Sequence, residues 1–249
     1  MTAPIALQLY SIREQLQKDF RGAMEQAAAM GYTAVETGQF GGEAERQIEV
    51  FDDLGLQVIA AHVKPPVGDN KNSSLDFMET LGSKRLVVPW LDPAVYFSSA
   101  EGVHRAADLL NEAAENSAER GLQLHYHNHD FEFGRIDSRL IFDLLYEQLD
   151  PRILFEVDTY WVETAGIDSA ELIRELAERA PLLHIKDGLM DRDLPMVAVG
   201  DGRMEFSQVI AAGAPHTRWL IVELDRCAGD MMHAVARSLD YLRELSAVS

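Results

Sequence analysis

With 249 residues, 47% hydrophobic and 25% charged, the chain can bury a large core, and no apolar run approaches the roughly 20 residues a membrane span needs. A formal net charge of −19 argues against a nucleic-acid partner, because affinity for phosphate backbones comes mainly from Lys and Arg, and the lone Cys227 excludes an intrachain disulfide or a multi-cysteine zinc motif. The opening MTAPIALQLYSIREQ lacks a basic segment followed by a long apolar core, so a soluble, cytoplasmic protein with no membrane partner is expected.

Along the chain, short aliphatic or β-branched runs recur: IALQLY (5–10), TAVET (33–37), QVIAAHV (57–63), RLVVPW (85–90), LQLHYHNH (122–129), ILFEVD (153–158), LLHIKD (182–187) and WLIVEL (219–224). Between them, apolar residues at helical spacing predict helices over 20–32, 100–121, 138–149, 169–180 and 231–245. Gly31, Gly55 and Gly121 stand where such helices stop. Eight strand and helix repeats in a chain of this length predict an α/β fold, a single (β/α)8 TIM barrel spanning 1–249, ahead of an open doubly wound sheet. The open sheet lacks its phosphate signature, since no G-x-G-x-x-G follows the first run and no G-x-x-x-x-G-K-[ST] occurs. GDGRMEF (200–206) reads as a turn feeding the next helix.

Barrel enzymes place their chemistry at the C-terminal strand ends, and the polar residues of these runs fall there. Glu36, His62, Trp90, His127, His129, Asp158, His184, Lys186, Glu223 and Asp225 all lie at or just past the end of a run. A parallel strand buried on both faces should be apolar throughout, and buried charges need partners or a metal. Asp158, His184 and Glu223 come from three consecutive runs, so their side chains can converge on one divalent ion: Mn, Mg, Zn, Co or Fe, with Mn the first choice. The fifth run should supply a fourth ligand. It ends in HYHNHDFEF (125–133), where alternation puts His125, His127 and His129 on one face, and both His127 and Glu132 are candidates.

YHNHDFEF, FEVDTYWVETAGID, LLHIKDG, VGDGRMEF and LIVELD, in this order and spacing, resemble the xylose-isomerase-like superfamily, especially bacterial sugar phosphate isomerases/epimerases. The resemblance covers nearly the whole chain. It implies ligands in the order Glu, Asp, His, Glu from the fifth to eighth strands, as in tagatose and psicose epimerases, and the last three carry over onto Asp158, His184 and Glu223. The fifth strand departs from that pattern. Inosose dehydratases, also similar, have an H-x-H followed by a glutamate ligand beyond the strand and an H-x-K-D on the seventh. HNHDFE and HIKD look closer to that arrangement, so Glu132 is preferred over His127 as the fourth ligand.

The expected activity is a metal-dependent sugar isomerase or epimerase working by proton transfer through an enediolate, with His127 and His129 as base and acid. Lys186 would hold a sugar oxygen or stabilise the oxyanion, its alternative being an ion pair with Glu156 or Asp187. Glu36, His62, Trp90, Trp161 and Arg226 are candidate substrate contacts, against helix capping, packing or surface roles. A lyase acting by dehydration or 3-keto-glycoside cleavage would use the same groups. Two readings of other classes, an apurinic endonuclease and a non-catalytic sugar-binding barrel, fit less well. The first needs a basic surface, and the second leaves three ligand-type residues unused. No basic loop stands out for a phosphate, which favours an unphosphorylated small carbohydrate as partner; a homo-oligomer is compatible with the sequence.

Overall fold

The computed structural model describes residues 3–248. Each apolar run forms a strand: β1 (Ile5–Gln8), β2 (Ala34–Gly38), β3 (Gln57–His62), β4 (Arg85–Val88) and β5 (Gln123–His127). After a short hairpin of β6 (Arg135–Ile136) and β7 (Arg139–Leu140) come β8 (Leu154–Asp158), β9 (Leu182–Ile185) and β10 (Trp219–Val222). The eight strands other than the hairpin are parallel neighbours in chain order, and β10 pairs with β1 to close the barrel. This is the predicted α/β barrel. Helices Phe20–Met30 and Ala44–Leu54 stop at Gly31 and Gly55, whose φ of +102° and +67° suit a residue without Cβ.

One helix starts later than its spacing predicts. Asp137 and Ser138 take φ of +47° and +72° and form the two-residue turn between β6 and β7, so the helix runs only over Ile141–Tyr146. Positive φ at both turn residues matches the twist of a tight hairpin, and that local chemistry overrides the helical pattern. Among the described residues no helix is long and apolar enough to cross a membrane.

Two-residue alternation builds the barrel interior in levels. Ala6, Ala34, Ala60, Val87, Leu182 and Ile221 form an apolar plug near the bottom. Two residues further along their strands come Gln8, Glu36, His62, Pro89, His184 and Glu223. The plug supports a polar layer. β5 and β8 differ by placing polar groups at both levels, His125 then His127 and Glu156 then Asp158, all buried.

The loop after β9 is tied down by a single carboxylate. Asp187 accepts backbone N–H bonds from Gly188 at 2.8 Å, Gly200 at 2.9 Å, Gly202 at 3.0 Å and Met204 at 3.1 Å. Gly202 approaches that carboxylate so closely that a Cβ there would collide with it, which accounts for GDG in the sequence. Asp187→Ala strips several backbone donors of their acceptor, at about 1–3 kcal/mol for each that stays buried. We expect a stability loss of about 3 kcal/mol or more, read from the urea unfolding midpoint.

Candidate metal centre

His127, Asp158, His184 and Glu223 end four different strands, and one donor atom from each lies within 4.8 Å of the others. All four are buried. His184 is the hub: its Nδ1 lies 2.7 Å from Glu223, and its Nε2 lies 2.7 Å from Glu36 and 2.9 Å from Glu156. A carboxylate behind one ring nitrogen is the usual way a metal-binding histidine is oriented, so Nδ1, beside Glu223, is the nitrogen left for a cation. A second set, His62, His127, Glu156 and His184, meets the same spacing and shares two members with the first.

The donor chemistry fits a divalent ion. Mixed imidazole and carboxylate donors suit Mn, Fe, Co and Zn. Buried carboxylate oxygens in this layer also lack hydrogen-bond partners, Glu36 Oε1 and Glu156 Oε1. Unpaired polar atoms in a closed barrel are costly, and a cation would relieve them.

Charge is unevenly shared within the layer. Burial, with Glu156 nearby, pushes the Glu36 carboxyl up to about 7, and burial raises Asp158 to about 6 against the pull of Lys186. Burial would raise Glu156 and Glu223 too, but His184 and His62 around the first, and Lys186 and His184 around the second, hold both well below the ordinary carboxylate range. Burial disfavours the His184 cation, yet Glu156, Glu223 and Glu36 more than reverse this and raise its pKa well above 6.5. A cation bound at His184 would compete with that proton.

Above the layer opens a cavity of about 560 Å³, reached by His62, His127, His129, Glu223 and Asp225 and walled by Tyr10, Trp90, Phe131 and Trp161. His129 lies past the end of β5, its ring stacked on Phe131 with centroids 5.1 Å apart and its Nδ1 without a partner. Trp90 is about half exposed at the mouth, and Trp161 keeps an unpartnered indole N–H. Arg226 lines the rim while donating to the carbonyls of Leu194 and Arg192. Glu36, a candidate substrate contact, is instead fully buried below the cavity, where Gln8 donates to it at 2.7 Å.

Glu132 is not brought into the cluster. Tyr126 points away from the barrel axis, and the turn Phe131–Phe133 folds Glu132 back onto it, where the carboxylate accepts from Tyr126 Oη at 2.5 Å and His129 N at 2.9 Å. His127 is the fifth-strand residue that meets Asp158, His184 and Glu223, as strand parity allows. Lys186 pairs with neither Glu156 nor Asp187. Its Nζ lies 2.8 Å from Asp158, 2.7 Å from Glu223 and 3.0 Å from Asp225, because the residue after a strand end continues the inward alternation. Gln8 and Glu156, which sequence reasoning did not place in the site, share the parity of Ala6 and Asp158 and were readable by that signal.

No family model and no curated protein matches the chain. Solved structures do. A sugar phosphate isomerase/epimerase from Parabacteroides distasonis is 24% identical with a TM-score of 0.84, over 97% of this chain and 98% of that one. An L-ribulose 3-epimerase is 15% identical with a TM-score of 0.71, over 99% and 95%. A probable 3-DHS dehydratase from Bacillus anthracis is 12% identical with a TM-score of 0.74, over 96% and 98%. This chain shares the (β/α)8 barrel fold of these structures. Identities this low speak for the fold alone.

The geometry sets two expectations. His127→Ala should lower bound metal after dialysis, whereas Glu132→Ala should retain it and lose stability, both read by elemental analysis and thermal unfolding; metal loss in Glu132→Ala alone reverses the assignment. The second concerns His125, fully buried one level below His127, where burial pushes its imidazole down to about 4. With its folded pKa below the ordinary 6.5, the unfolded chain takes up the proton first, so this contribution is complete above about pH 6.5 and is lost as pH falls towards 4. His125→Gln should accordingly lose on the order of 2 kcal/mol less than the parent between pH 8 and pH 5 in urea unfolding.

Proposed function

We propose that the chain is a divalent-metal-dependent isomerase or epimerase that moves a proton at a carbon next to the carbonyl of a keto-sugar. The observation that carries this reading is the buried set His127, Asp158, His184 and Glu223 at the floor of an aromatic-walled cavity. The fold shared with sugar isomerases and epimerases supports it. These four residues would hold the ion, with Mn the first choice among Mn, Mg, Zn, Co and Fe. An ion held there would polarise the carbonyl and stabilise the negative charge of an enediolate.

The proton carriers are the imidazoles beside the ligands. His62 and His129 both reach the cavity and flank His127, with ring centroids 5.5 Å and 5.0 Å from it. His129 lines the cavity just past the end of β5 and takes the proton as base. His62 is held by Glu156 at 2.8 Å and Glu36 at 3.4 Å, a carboxylate backing that orients its ring and stabilises its charged form, so it donates as acid. Lys186 lies beneath, ion-paired with Asp158, Glu223 and Asp225.

The test is incubation of metal-replete protein in deuterated water with ketoses, keto-inositols and 3-keto-glycosides. Solvent deuterium should appear at carbon and should vanish on chelation. His129→Ala should lower kcat by about 10²–10⁴ while bound metal is unchanged. Release of water or of a glycosidic substituent would move the assignment to a lyase, and metal binding without exchange or release would leave a sugar-binding barrel and overturn the reading.

A further inference from the structure

We infer that this cavity takes an uncharged sugar carrying a second ring at its outer end, rather than a sugar phosphate; the inference rests on the carbohydrate reading of the same site. The cavity has two zones. Its floor is polar, with His62, His127 and Glu223, and its outer wall is aromatic, with Tyr10, Trp90, Phe131 and Trp161. A volume of about 560 Å³ belongs with sites for drug-sized ligands, roughly 300–1,000 Å³.

Every cation near the cavity is already engaged. Arg192 is 2.5 Å from Asp130, and Arg226 donates to backbone carbonyls. Lys186 is buried among three carboxylates. Arg13, stacked 4.1 Å over the Tyr10 ring, donates to the carbonyls of Tyr10 and Asp225. A phosphate would therefore have to break an existing pair to gain one, and would face the carboxylates of Asp130, Asp225 and Glu223 on the cavity wall. A sugar ring meets no such obstacle. Trp90 remains 49% exposed at the mouth, offering an apolar face to the C–H side of a pyranose.

The experiment is isothermal titration of metal-loaded protein with D-fructose, D-psicose and D-tagatose, with fructose 6-phosphate, and with palatinose and lactulose, which carry a second sugar ring on fructose. At least one disaccharide should bind on the order of three- to tenfold tighter than fructose, the size of an aromatic stacking contact, and fructose 6-phosphate should bind more weakly than fructose. Trp90→Ala, with its fold checked by circular dichroism, should narrow the gap between disaccharide and fructose. Tightest binding by fructose 6-phosphate, or exclusion of both disaccharides while ketohexoses bind, overturns the inference and leaves the carbohydrate reading standing. Failure of every sugar to bind overturns both.

Discussion

Glu36, Glu156, Asp158 and Glu223 are buried on the inner face of one closed parallel sheet, and the surrounding side chains have to carry their charge. Water does so for a surface carboxylate, but a closed barrel offers little of it, and an uncompensated buried charge costs several kcal/mol. Compensation comes from His184 at the centre, Lys186 above it and His62 at the side. His184 reaches Glu223 on one side of its ring and Glu36 and Glu156 on the other, so a single imidazole joins the end of β10 to β2 and β8. The same contacts fix which nitrogen faces the other donors. Barrel closure and ligand orientation are thus one arrangement.

Much of this was legible because strand parity is a strict rule. Once LLHIKD is a strand with Leu182 inward, His184 and Lys186 must follow on the same side, and the same count places Glu223 two residues beyond Ile221. His127 follows from His125 in the same way. What failed was reasoning that left the strand. Glu132 was favoured through a resemblance, yet it lies beyond a turn whose direction no periodicity encodes, and that turn carries it outside the wall to Tyr126. The alternative given for Lys186, an ion pair with Glu156 or Asp187, named other carboxylates than the Asp158, Glu223 and Asp225 it meets. The helix over 138–149 lost its first turn to two residues at positive φ, a local preference that an apolar pattern does not register.

Asp158 links the floor of the cavity to its wall. One oxygen, Oδ1, accepts the backbone N–H of Trp161 at 3.1 Å and so caps the helix Thr159–Thr164, while Oδ2 faces Lys186 at 2.8 Å and His127 at 3.7 Å. Capping leaves Oδ2 as the oxygen available to a cation, so a divalent ion and the Lys186 ammonium address the same atom. The ammonium offsets the Asp158 charge, and an ion held as proposed would meet repulsion from it. The capped helix also carries Trp161 into the cavity wall, with Lys186 Nζ 5.8 Å from the centre of its ring. A shift of Asp158 towards an ion would pull on the turn that positions Trp161, which makes the aromatic wall mechanically continuous with the charged floor.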